Sequence, residues 1–209
     1  MTYRLVRVLC VLVLVLASAA LFAQEDFSAD IVTSKQGKAS SQGKFYVTKD
    51  KLRMEMNGSG GEGAIVILNL ATHTSAVLMP ARKMYMEMPT AQGPTAQRTW
   101  AFFRSIDVDN ACPDWQKYTN RASGECHKVG SATVNGRSTV EYEGKSADGK
   151  VGHVWLDSKI AFPIKWEEQD NEGELQNIKT GSQPSSLFEV PSDYQKFQMP
   201  AGMPNMPNH

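Results

Sequence analysis

Methionine is the residue type with chemical potential that this 209-residue chain concentrates. Beyond the initiator there are nine: Met54, Met56, Met79, Met84, Met86, Met88, Met199, Met203 and Met206. Residues two apart on a strand share a face, so Met84, Met86 and Met88 form one stripe and Met54 and Met56 another. Thioethers are soft donors that suit Cu(I), and Met-x-Met repeats in an exported chain could present them. The same side chains, flexible and polarisable, also line adaptable apolar surfaces. The second reading is preferred, because the alternating positions are those that any half-buried strand must fill. No metal or cofactor is therefore expected.

The other reactive groups are dispersed. Cys112 and Cys126 are expected to form a disulfide, the default for such a pair in an exported chain, closing a polar, turn-rich segment. A metal site from Cys112, Cys126 and His127 lacks the paired-ligand spacing of zinc motifs. His73, His127, His153 and His209 include no i, i+4 pair. Glu167, Glu168, Asp170, Glu172 and Glu174 straddle a predicted hairpin turn and read as a solvated turn rather than paired catalytic carboxylates. Asp107, Asp109 and Asp114 lack the glycine and spacing of a calcium loop. There is no Gly-x-Ser-x-Gly, no His-Glu-x-x-His, and no Lys-Ser/Thr after Gly58-Ser-Gly-Gly61. The chain is read as a non-enzyme.

The elements that must position these residues follow from patterning. Arg4 and Arg7 precede an apolar run, Val8 to Ala23, that ends in small residues. It reads as a signal peptide over residues 1–23, cleaved after Ala20 or Ala23, because the run is short for a membrane span. Cys10 lies ahead of the small residues, not where a lipid anchor would sit. Removing residues 1–23 leaves 20 basic against 22 acidic side chains, a net of −2. Without a clustered positive surface, nucleic acid is not an expected partner. The expected location is the periplasm, with no integral membrane span after cleavage.

Period-2 alternation dominates from Phe27 onward. Lys44 to Thr48 and Lys51 to Met56 flank the turn Lys49-Asp50, and Ala64 to Leu70 is apolar on both faces. Thr74 to Met79 and Lys83 to Met88 bring the count to about six strands before residue 90. One amphipathic helix is predicted from Thr95 to Ile106, with Ala96, Trp100, Phe103 and Ile106 at helical spacing. Five strands follow, over Lys128–Val134, Arg137–Glu143, Lys150–Asp157, Phe162–Gln169 and Glu174–Thr180. Asn135-Gly136, Ser146 to Gly149 and Asp170 to Gly173 are their turns. The tail, residues 199–209, repeats proline often enough to prevent helix and strand alike. About eleven strands must curl, since twist accumulates and a flat sheet of that size is disfavoured. One helix of about three turns cannot bury the apolar face, which includes Phe27, Phe45, Leu52 and the methionines, so part of that face should line a pocket.

Several segments together carry a family resemblance: Phe27-Ser-Ala-Asp-Ile31, Gly43-Lys-Phe-Tyr-Val47, Lys51-Leu-Arg-Met-Glu-Met56, Met84-Tyr-Met-Glu-Met-Pro89, Val134-Asn-Gly-Arg137, Val154-Trp-Leu-Asp157, Pro163-Ile-Lys-Trp166 and Ser186-Leu-Phe-Glu-Val-Pro191. In this order they resemble an uncharacterised family of secreted bacterial domains, which is similar in turn to the periplasmic lipoprotein carriers LolA and LolB. The resemblance covers roughly residues 27–200. It implies one unclosed half-barrel domain, residues 24–198, of about eleven antiparallel strands with a covering helix, and a concave face able to take acyl chains. No residue matches the arginine that governs lid closure in LolA, so no site residue is carried over.

The functional expectation is a periplasmic, non-catalytic protein that holds a lipid, acyl chain or lipoprotein against Met54, Met56, Met84, Met86, Met88, Trp100 and Phe103. The alternatives are a structural or envelope-sensing protein that binds a protein partner through the same face, and Cu(I) binding by the Met-x-Met strands.

Overall fold

The computed structural model describes residues 25–57, 63–89, 106–119, 125–146 and 149–197. The alternation becomes β1 (Phe27–Lys35), β2 (Lys38–Val47), β3 (Lys51–Met56), β4 (Ala64–Asn69), β5 (Thr74–Met79) and β6 (Met84–Pro89). After helix α1 (Ala111–Thr119) come β7 (Glu125–Val134), β8 (Arg137–Lys145), β9 (Val151–Asp157), β10 (Phe162–Glu168), β11 (Asn171–Thr180) and the short β12 (Gln195–Lys196). All twelve belong to one sheet in the order β12-β6-β5-β4-β3-β2-β1-β11-β10-β9-β8-β7, whose two ends are not paired with each other. The mainly β, unclosed architecture is as expected, with a twelfth strand added parallel to β6.

The sheet curls towards one face. Phe45 on β2 and Phe162 on β10 are separated by β1 and β11, about 14 Å in a flat sheet, yet their ring centroids lie 5.6 Å apart. Phe27 meets Phe162 edge-on at 5.2 Å. Around these rings Ile31, Val47, Leu52, Ile164 and Leu175 close the main core. The corner between β9 and β10 is fixed by Asp157, 1% exposed. Its carboxylate accepts hydrogen bonds from the Lys159 and Ile160 amides at 2.8 and 2.9 Å and from both Nε and Nη2 of Arg137.

Several local expectations are corrected. The turn placed at Asp170 to Gly173 is tighter: β11 already begins at Asn171, with Gln169 in the left-handed region at φ 54°. Gly173 is a strand residue, glycine because the Trp166 ring lies over it, 2.1 Å from where a Cβ would stand. Asn135-Gly136 does form the expected turn, with φ positive at both residues. The Cys112 to Cys126 segment is not all loop, since α1 occupies its first half. The disulfide itself forms as expected, closing the alternative metal site of Cys112, Cys126 and His127. The hydroxyl of Tyr142 donates to the Val108 carbonyl at 2.9 Å and accepts from the Ala111 amide at 3.2 Å, docking the start of α1 on β8. Of the helix predicted over Thr95–Ile106, only Ile106 is described, as a buried non-helical residue beside Tyr142 and Leu156. The signal segment 1–23 and the tail 199–209 also lie outside the described residues. No helix among the described residues is long and apolar enough to cross a membrane.

Candidate functional site

The site is built from β3 to β6, four strands joined by regular antiparallel pairing. Met54 faces Val66, Val66 faces Val77 and Val77 faces Met86, and the row runs on through Phe45, opposite Met54. A second row contains Met56 opposite Ala64, and Met79 opposite Met84. A third runs Val47, Leu52, Leu68, Ser75 and Met88. Rows two residues apart share a face, so Met54, Met56, Met79, Met84 and Met86 lie on the same side as Phe45, inside the curl. These positions carry no formal charge.

Different segments pack against the two faces. Met54, Met56 and Val66 pack partly buried against the main core, while Val77, Met79, Met84 and Met86 are half-buried. The opposite face of the same strands holds Ile67, Ala76 and Leu78, the last fully buried. Its cover is the C-terminal segment: Phe188, 7% exposed, sits on Ile67, Ala76 and Leu78, with Leu187, Val190 and Tyr194 around it. Arg53 on β3 fastens this strap, pairing with Glu55 at 2.6 Å and donating from Nη1 to the Leu187 carbonyl at 2.8 Å. Lys83 pairs with Asp193 at 2.9 Å, which raises the Lys83 pKa and lowers that of Asp193. Lys196 pairs with Glu87, and the Gln195 and Phe197 amides donate to carbonyls of Lys83 and Tyr85. Among the described residues of these strands, methionine thus occurs only on the face inside the curl, and the apolar part of the other face is Ile65, Ile67, Ala76, Leu78 and Tyr85.

Of the expected site residues, Met54, Met56, Met84 and Met86 are brought onto one face, and Met79, which has no methionine two residues away in the sequence, joins them. Met88 is paired with Ser75, but its side chain lies outside the described residues, as do Trp100 and Phe103. The strap is a feature that sequence reasoning misses. The one sequence signal for it is the apolar Leu187, Phe188 and Val190 after the last strand, too short to show a period. The remaining aromatics are structural: Trp166 packs over Gly173, and Trp155 lies between a stacked His153 and the Lys165 ammonium, 4.5 Å from its ring. His153 Nδ1 lies 2.9 Å from a Glu141 carboxylate oxygen, so this histidine is partnered rather than free at the surface. Glu167 pairs with Lys165 at 2.7 Å, which engages one of the predicted acidic turn residues in the sheet.

Residues 29–114 match the family model described as a domain of unknown function, DUF4412. No curated protein matches the chain significantly. Among solved structures, an uncharacterized conserved protein from Thermus thermophilus is 11% identical and superposes with a TM-score of 0.54 over 84% of this chain and 91% of its own. The Pseudomonas aeruginosa MucA/MucB complex contains a chain 16% identical, with a TM-score of 0.51 over 87% of this chain; the match spans 63% of that chain. The LolA superfamily protein NE2245 from Nitrosomonas europaea, 8% identical, matches over 79% of this chain and 90% of its own at a TM-score of 0.35. The chain thus carries a match to a domain of unknown function, DUF4412, over residues 29–114, and shares its overall fold with the Thermus thermophilus protein.

Proposed function

We propose that this chain is a non-catalytic binding protein of the periplasm that takes an acyl chain, a lipid or the lipid of a lipoprotein on the methionine face of β3 to β6. One observation supports this reading: among the described residues, Val77, Met79, Met84 and Met86 on the uncharged face inside the curl are only half-buried, whereas the protein's own strap packs on Ile67, Ala76 and Leu78 of the other face. Methionine suits such a surface because its thioether arm repacks around chains of different shape. The driving force is apolar area removed from water: an acyl chain covering on the order of 200 Å² gains about 5 kcal/mol at roughly 25 cal/mol per Å².

The test is fluorescence of 1-N-phenylnaphthylamine with the processed protein, together with native mass spectrometry of protein purified from its own cell envelope. Probe binding weakened by Met54→Gln and Met86→Gln, and a co-purifying lipid mass, are the expected results. A protein that is always empty and excludes the probe removes the proposal. A second reading, capture of a protein partner, draws on the similarity to a chain of the MucA/MucB complex. It predicts that a photo-crosslinker at position 86 in cells labels one envelope protein rather than lipid.

A further inference from the structure

The end of the methionine face at the β5–β6 turn has a geometry of its own. Met79 closes β5, Met84 opens β6, and the two are direct register partners across the Pro80–Arg82 turn. Met86 is two residues further along β6, on the same side and diagonal to Met79. Directly opposed Cβ atoms on antiparallel strands are about 5 Å apart and diagonal ones about 7 Å. Three thioethers sharing one ion need sulfurs within about 4 Å of one another, given metal–sulfur bonds of roughly 2.3 Å. Each methionine has three rotatable bonds with which to close that gap. A set drawn from one strand does not close: Met84 and Met88 are four residues apart, about 13 Å along a strand. The pairing of β5 with β6 is what brings soft donors together.

The chemistry of the donors selects the ion. Carboxylate, imidazole and thiolate ligands are missing from the registered positions of this face, and Cys112 and Cys126 are bonded to each other. Neutral thioethers alone favour a soft monovalent cation over calcium, magnesium or zinc. Half-burial of Met79, Met84 and Met86 limits competition from water while leaving the sulfurs reachable. The sealed face of the same two strands manages its packing with Ala76, Leu78 and Tyr85, so apolar filling does not by itself call for methionine here.

We propose that Met79, Met84 and Met86 form a trithioether site for Cu(I). The site shares Met84 and Met86 with the proposed lipid face, but the inference does not rest on that reading. Its test is anaerobic titration of the processed chain, labelled with ¹³C-methyl methionine, using Cu(I) against bathocuproine disulfonate and Ag(I) as a redox-inert stand-in. One equivalent is expected, moving the methyl signals of Met79, Met84 and Met86 together while Met54 and Met56 stay in place. Met79→Leu with Met84→Leu should weaken binding about tenfold or more (~1.4 kcal/mol per tenfold), at an unchanged melting temperature. Binding equal in wild type and double variant, or signal changes confined to Met199, Met203 and Met206, overturns the site. The two readings fail separately: the metal site by the Cu(I) and Ag(I) titrations, and the lipid reading by phenylnaphthylamine fluorescence of the wild-type protein without metal.

Discussion

Replacing Phe188 with alanine should loosen the strap and leave the methionine face intact. Phe188 is 7% exposed against Ile67, Ala76 and Leu78, and truncating such a ring costs about 3–5 kcal/mol when the surroundings cannot collapse. Here a relief exists, because the strap can lift as a unit. Its other fastenings are the bond from Arg53 to the Leu187 carbonyl, the exposed Lys83–Asp193 and Lys196–Glu87 pairs, and two residues of β12. Exposed pairs contribute little, so the opening free energy of the strap should fall by about 3 kcal/mol. If the whole domain loses that much, its melting temperature drops by roughly 6–12 °C at 2–4 °C per kcal/mol for a chain of this size. Hydrogen exchange read by mass spectrometry is the assay. Peptides spanning 184–197 and the sealed side of β5 and β6 should lose protection, including the Gln195 and Phe197 amides, while β8 to β10 keep theirs. Phenylnaphthylamine binding should persist at temperatures where the variant is folded. A uniform loss of protection, a stability change under 1 kcal/mol, or a folded variant that no longer binds probe would refute the separation of the two faces.

Three further predictions concern the frame. Asp157→Ala strands the Arg137 guanidinium and removes the acceptor for two amides of the β9–β10 corner, so urea unfolding should show a loss of about 3–5 kcal/mol; an apolar pair, Arg137→Met with Asp157→Leu, should recover part of it. Replacing Cys112 and Cys126 by alanine removes a crosslink spanning 14 positions, expected to cost about 3 kcal/mol, and a melting temperature indifferent to reductant would contradict it. Hydrogen bonds from Lys44, chiefly, and Asn177 hold the Asp30 carboxyl below its ordinary 3.8. A depressed carboxylate adds stability above that value and loses it as pH falls through the folded one, so Lys44→Ala with Asn177→Ala should flatten the acid limb of stability against pH.

Much of this arrangement was legible in the chain because a strand's side-chain period is local. Met54 with Met56, and Met84 with Met86, could be assigned to shared faces from their spacing alone, and Asn135-Gly136 could be named as a turn because both residues tolerate positive φ. Asp170 to Gly173 misled for an equally local reason: Gly173 looks like a turn residue, yet its lack of a side chain answers to Trp166 across the strand pair. The helix α1, which begins at Ala111 and runs into the disulfide segment, was hidden by Pro113 and a polar composition. Proline is acceptable in a first helical turn, and the docking of that turn on Tyr142 is a contact 31 residues away in sequence.

What the amino-acid sequence determined by itself is therefore the strands, their faces and the class of fold, since alternation, turn chemistry and apolar content act between near neighbours. Only the tertiary structure decided which face the C-terminal strap covers and which methionines pair across strands. That depends on Phe188 reaching Ile67 and Leu78, on Arg53 holding Leu187, and on the pairing of β5 with β6 that sets Met79 against Met84. These are meetings of residues distant in the chain, whose free energy comes from burial and complementary hydrogen bonding after the sheet has curled, and no local period records them.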